Sequence, residues 1–217
     1  MSVKGLRNIK SAIEATDGGG VRWFKMPPDA TWVVRFISDL DESPATDHGA
    51  GVATLIHEHQ AGKNFRVKAQ CTNPERDGSK CFGCEQAINH PKTGWARKSR
   101  VYVNVLVQEK EGEEPYVAVW SIGTSRSPVW DFLVDTFGEE GSISNRRFRF
   151  KRKGEGVDTT YVIRDLGTDS EPFDFASFEG FDLDQLVKLV PYEDQQEFYL
   201  ASQTEESEPS DDAGSWV

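Results

Sequence analysis

The chain has 217 residues, 37% of them apolar, and carries 25 Lys and Arg against 36 Asp and Glu. That is enough for one domain of good size, or one domain with a tail. No apolar run approaches the roughly 18–20 residues of a membrane-crossing helix, and no hydrophobic signal region follows the first basic residues, which argues against membrane insertion and secretion. Three cysteines, an odd number, argue against a disulfide scaffold and for the reducing cytoplasm. The net charge of −11 is segregated: residues 1–164 hold 24 basic and 21 acidic side chains, net +3, whereas residues 165–217 hold only Lys188 against 15 acidic ones, net −14. Such asymmetry suits a nucleic-acid-binding body with an acidic arm.

In chain order, residues 1–15 read as a basic arm or short helix, with Lys4, Arg7 and Lys10 at spacing three and Leu6, Ile9 and Ile13 as its apolar stripe. Gly18-Gly19-Gly20 follows as a hinge. Strands are predicted over 32–37, 52–59 and 65–69, then an irregular stretch over 71–95 with one helical turn at 84–89. Residues 100–108 give the strongest strand signal, with Val101, Val103, Val105 and Val107 on one face. A strand over 116–122 precedes a helix capped by Ser127, opened by Pro128 and ended by Gly138. Its Trp130, Leu133, Val134 and Phe137 share one apolar face and are assigned to the core. Residues 146–153 and 157–164 form a hairpin about Gly154-Glu155-Gly156, and 177–190 a further amphipathic helix. From residue 195, low hydrophobicity and unbroken negative charge predict disorder.

Short strands with one interposed helix fit a mostly β fold, with an oligonucleotide-binding (OB-type) small barrel the leading architecture. The expected organisation is a basic arm and hinge (1–20), a core (21–166) holding a metal subdomain at about 55–95, an acidic connection (167–194) and an acidic tail (195–217).

All three cysteines fall within fourteen positions: Cys71, then Cys81-Phe82-Gly83-Cys84. Cys-x2-Cys places two sulfurs on one metal, Gly83 easing the turn, and Cys71 lies in a loop able to fold back. A histidine completes the set: His59 is preferred, His57 second and His90 third. Three thiolates and one imidazole make a closed tetrahedral zinc shell, structural rather than catalytic. The alternative, buried thiols acting as small apolar groups, suits a turn-rich polar stretch poorly. A zinc deaminase would need His-x-Glu and Pro-Cys-x2-Cys; here Glu58 follows His57 directly and no proline precedes Cys81. With no phosphate-binding loop or nucleophile elbow either, an enzyme is not expected.

On a strand, Arg147, Arg149, Lys151 and Lys153 share one face and Phe148 and Phe150 the other. Four cations on one face repel unless an anion sits there; a phosphate backbone would serve, though an edge strand guarded by charge would look the same. Arg66, Lys98 and Arg100 add cations, and Phe65, Tyr102 and Tyr161 are candidate rings for stacking bases of a single strand. Trp23, Trp32, Phe36 and Trp120 are weaker candidates.

His…Cys71-x9-Cys81-x2-Cys84 beside a barrel-like β pattern resembles the zinc-containing single-stranded DNA-binding proteins of bacteriophages, the T-even helix-destabilising type. The basic hairpin Arg152-Lys153-Gly154-Glu155-Gly156-Val157-Asp158-Thr159-Thr160-Tyr161 and the acidic terminus fit as well. The resemblance implies an OB-type barrel, one structural zinc on Cys71, Cys81, Cys84 and an upstream histidine, and coating of single-stranded DNA with little sequence preference in replication, recombination and repair. It also implies a tail that recruits replication or recombination proteins, in the cytoplasm of a bacterial host, the protein being a monomer or weakly self-associating on DNA. The competing expectation is a zinc-bearing protein-interaction or transcription adaptor working through its acidic tail.

Overall fold

The computed structural model describes residues 20–37, 53–61, 64–124, 128–144, 146–155, 159–169 and 173–204, without the side chains of 64–66, 176 and 201–204. The expected arm over 1–15, the Ser127 cap, the acidic terminus beyond residue 204 and the side chains of Phe65 and Arg66 lie outside the described residues. The fold is mostly β, with strands β1 (Thr31–Phe36), β2 (Thr54–Ala61), β3 (Asn64–Gln70), β4 (Lys98–Gln108), β5 (Tyr116–Gly123), β6 (Arg146–Lys153) and β7 (Thr160–Thr168). Among the described residues the α-helices are α1 (Phe82–Asn89), α2 (Pro128–Glu140) and α3 (Tyr192–Thr204). The sheet has seven strands in the order β3-β2-β4-β1-β6-β7, with β5 also paired to β4, and the path does not close on itself. The chain divides into two compact units: Met1–Thr54 with Val101–Leu183, and Leu55–Arg100 with Asp184–Val217.

In the first unit, strand alternation builds the core. Trp32, Val34 and Phe36 of β1, Val103, Val105 and Val107 of β4, Ala118, Trp120 and Ile122 of β5, and Phe148 and Phe150 of β6 are all buried in one cluster. β1 lies antiparallel between β4 and β6, with Val34 opposite Val107 on one side and Phe148 on the other. The other face of β4 is also covered. Asn104 exchanges hydrogen bonds with the backbone of Phe181 (2.9 and 3.0 Å), and Leu106 packs with Ile37, Phe173, Phe175 and Phe178. Arg35, beneath this patch, donates two hydrogen bonds to Asp169 (3.1 and 2.9 Å) and stacks on Phe173.

Two expectations for this unit are corrected. Helix α2 runs past Gly138 to Glu140; Gly141, at φ 74°, ends it by donating to the Phe137 carbonyl (2.8 Å), the left-handed stop that glycine adopts most easily. Its buried side chains are Val129, Leu133 and Thr136. Val134 and Phe137, assigned to the core, are exposed, because the buried stripe is turned one residue from the predicted one.

The second unit has its own small core of Ala61, Ala69, Trp95, Val190 and Tyr199, with Val67, Phe82, Ala87 and Phe198 against it. β2 and β3 pair antiparallel, with His59 opposite Ala69. The expected helix over 177–190 does not form. Two short 3-10 turns, Phe175–Ser177 and Leu183–Gln185, stand there instead, and the backbone of 184–188 bonds outward: Gln70 donates its amide to the Val187 carbonyl (2.8 Å) and its N–H to that of Lys188 (2.9 Å). Disorder from residue 195 is likewise corrected over residues 195–204, since α3 occupies 192–204. Among the described residues no helix is long and apolar enough to cross a membrane.

Candidate functional site

His59 comes from the middle of β2, Cys71 from just after β3, and Cys81 and Cys84 from the N-terminal turn of α1. One ligand atom from each lies within 4.8 Å of all the others. The Cys71 sulfur is 3.8 Å from that of Cys81 and 3.6 Å from that of Cys84, and the Cys84 sulfur is 3.3 Å from His59 Nε2. Cys71, Cys81 and His59 are buried and Cys84 half-buried. The four residues can hold one metal ion.

The histidine ambiguity resolves on geometry. The ring of His59 sets its Nδ1 2.7 Å from the Trp95 carbonyl oxygen. A carbonyl only accepts, so Nδ1 carries the hydrogen and donates, and Nε2 presents its lone pair to the sulfurs. His57 instead sets Nδ1 2.7 Å from the Ser99 hydroxyl, and His90 is an exposed C-cap.

The three thiols stand in different surroundings. Burial raises all three. At Cys84 burial and the hydrogen bond with Cys71 push the thiol up to about 12, and at Cys71 burial also prevails. At Cys81 burial is outweighed by the neighbouring His59 and by backbone N–H groups, which bring it to about 5. A cation held among the four residues would favour the thiolate form of all three.

A second layer holds these ligands. The N–H of Phe82, an orphan donor at the start of α1, is accepted by the side chain of Gln195 (2.9 Å). Gln195 is itself buried and donates to the Val190 carbonyl (2.9 Å) and Thr72 hydroxyl (3.2 Å). Tyr192 donates to Glu85 of α1 (2.9 Å). Tyr199 stands edge-on to Trp95, ring centroids 4.9 Å apart, and stacks with Phe82 at 6.1 Å. Sequence reasoning passed over Trp95, Gln195 and Tyr199, yet Tyr192, Gln195 and Tyr199 stand at helical spacing of three and four.

Gly83 sits inside α1, and its role differs from the expected tight turn. A Cβ there would stand 2.4 Å from His59 Cγ and 2.7 Å from Cβ and Cδ2. The imidazole packs directly on the missing side chain. Gly83→Ala is expected to displace the ring and weaken metal affinity about 10- to 100-fold, the range for disturbed outer-shell partners, read by competition with a chromophoric chelator.

The basic residues fall in both units. On β6, Phe148 and Phe150 point into the core while Arg149, Lys151 and Lys153 are exposed on the other face. Arg164 of β7, also exposed, is directly opposite Arg149. Arg147, on the same face, is held by Asp169 at 3.0 Å. Two other arginines of the hairpin are structural: Arg146 pairs with Asp165 (2.6 Å) and Glu140 (2.7 Å), and Arg152 donates to the Met26 carbonyl and to the Thr159 hydroxyl (3.1 Å). In the second unit, Arg100 pairs with buried Glu58 at 3.3 Å, Lys68 does likewise, and Lys98 donates to Gln60 (2.7 Å).

The candidate stacking rings do not gather on this face. Tyr102 is wholly buried, with Trp23 edge-on to it, so it offers no face to a base. Trp32, Phe36 and Trp120 are core. Tyr161 is half-buried against Phe24 and Trp120. Compared with protein-family models, with curated proteins and with solved structures, the chain matches none.

Proposed function

We propose that the chain is a non-enzymatic single-stranded DNA-binding protein, acting in replication, recombination or repair, that tracks phosphates on the outer face of β6 and β7 and carries one structural zinc. The observation that supports this most is the cation stripe. Arg149, Lys151 and Lys153 are exposed on one strand face with Arg164 directly across from Arg149, and like charges directly opposite destabilise a sheet. A phosphate chain relieves that repulsion and releases its counterions on binding. An OB-type relationship rests on the rings of β5 and β7 that meet across the core, Trp120 with Tyr161 at 6.0 Å.

Zinc is the metal that fits the donor set. Zinc–sulfur bonds of about 2.3 Å in a tetrahedron put the sulfurs roughly 3.8 Å apart, and the two measured separations are 3.8 and 3.6 Å. His59, Cys71, Cys81 and Cys84 would hold it, and four protein donors leave no position for a substrate. The ion would tie β2, the loop after β3 and α1 together.

Fluorescence titration with oligo-dT and with duplex DNA across a salt series tests the proposal. Tighter binding to the single strand, weakening with salt, is expected; equal affinity for both, or no salt dependence, overturns it. In the Lys151→Gln/Lys153→Gln double variant the log–log salt slope should flatten by about 0.7 per lost cation. Its melting temperature should not fall, since both side chains are exposed and free of ion pairs among the described residues.

A further inference from the structure

A groove of about 270 Å³ adjoins the cation stripe within the first unit. It is lined by Thr31–Val33 of β1, by Gln108, Glu109, Lys110 and Glu111 at the start of the β4–β5 turn, and by Arg147, Arg149 and Leu166. Its walls are of opposite sign: arginines of the phosphate-tracking strand on one side, carboxylates of the turn on the other. Several of these groups are engaged. Glu109 accepts from the Tyr116 hydroxyl (2.6 Å), Lys110 pairs with Glu113 (3.2 Å), and Arg147 is held by Asp169. Glu111 and Arg149, both exposed, have no ion pair among the described residues.

We infer that this groove is a nucleobase subsite, receiving one unpaired base that bears an exocyclic amino group, cytosine, adenine or guanine, while its phosphate rests on Arg149. This rests on the single-strand reading above and deepens it. The carboxylates bar a phosphate or an acidic peptide from the groove but accept hydrogen bonds from an amino group, and Arg149 at the rim supplies the opposite charge. A nucleotide carries both features, anionic at one end and an amino donor at the other. A base paired in a duplex is held in the stack between its neighbours and must be unpaired and unstacked to enter a groove. The subsite therefore supplies single-strand selectivity that Tyr102, buried in the core, does not.

The experiment compares oligo-dC, oligo-dT and an abasic oligonucleotide of equal length, titrated at one fixed salt concentration against the wild type and Glu111→Ala. Oligo-dC is expected to bind at least fivefold tighter than oligo-dT, and the abasic strand weakest. Glu111→Ala should bring the dC-to-dT ratio near one, while the removed negative charge leaves oligo-dT binding equal or tighter. Glu111 is exposed on a turn, and an unchanged circular dichroism spectrum checks the variant's fold. Equal wild-type binding of dC and dT, or a ratio that Glu111→Ala leaves unmoved, overturns the base subsite and leaves phosphate tracking standing. Failure of every strand to bind overturns the single-strand reading itself.

Discussion

Cys81→Ser is expected to abolish metal binding and to unfold the second unit, with amide protection lost over 55–100 and 184–204. The reason lies in how little else holds that unit. Among the described residues its buried apolar cluster is five side chains, two of them alanines, with Ile56 and Val187 buried besides, and a core of that size rarely supplies more than about 3–5 kcal/mol. Structural zinc in small peptides contributes roughly 10–16 kcal/mol of apparent binding free energy, far more than the core can replace. Cys81 is the sharpest place to cut. It is the N-cap of α1, buried, and the one thiol whose surroundings favour the thiolate. Serine keeps the size of the side chain but is a poor ligand. Metal content by atomic absorption and hydrogen exchange by mass spectrometry read the two halves of the prediction. A metal-free variant with full protection in 55–100 would refute it. The core about Phe36, Val105 and Phe148 belongs to the other unit and holds no ligand, so its slow amides should persist.

The metal set was legible because its chemistry is carried by residue type and spacing. Three cysteines within fourteen positions admit few other uses, and they converge with His59. What spacing could not decide was the histidine, since His57 and His59 lie two apart on one strand. The choice depends on Trp95, whose carbonyl fixes the tautomer of His59, and on Gly83, which leaves room for the ring; both contacts join residues distant in sequence. The strands were legible from alternation, yet alternation misled at Tyr102. It does face away from the valines, but both sides of β4 are covered, and the near-continuous apolar run Val-Tyr-Val-Asn-Val-Leu-Val is what a doubly buried strand looks like. On β6 alternation succeeded because only one face is buried. Composition misled most at the C-terminal segment, where Glu193, Asp194 and Glu197 hid a helical stripe of Tyr192, Gln195 and Tyr199.

That stripe sets the second large effect. Truncation after residue 204 is expected to leave metal binding and the fold of the second unit intact, whereas truncation after residue 194 should unfold the unit in chelator and weaken its metal affinity by orders of magnitude. The shorter chain loses Gln195, which caps the first N–H of α1 beside the ligand Cys81, and a buried donor or acceptor left without its partner costs about 1–3 kcal/mol. It also loses Tyr199, wholly enclosed by Trp95, Phe82 and Phe198; deleting a buried aromatic costs about 3–5 kcal/mol. Together these match or exceed what the small core supplies, so without zinc the unit cannot fold, and with zinc part of the binding free energy drives folding and the apparent affinity falls by orders of magnitude. Tyr199→Ala isolates the packing half and should lower the unfolding midpoint of this unit by several degrees with the metal retained. Metal affinity by chelator competition and hydrogen exchange on the two truncations decide the matter: a chain ending at 194 that binds metal with undiminished affinity and protects 55–100 would show that α3 is dispensable. The distinction also separates the two candidate roles of the terminus. If the acidic residues beyond 204 recruit a partner, their removal takes partner binding away and leaves single-strand affinity unchanged or tighter, because negative charge that competes with phosphate has gone. A cut at 194 confounds that readout with collapse of the metal unit.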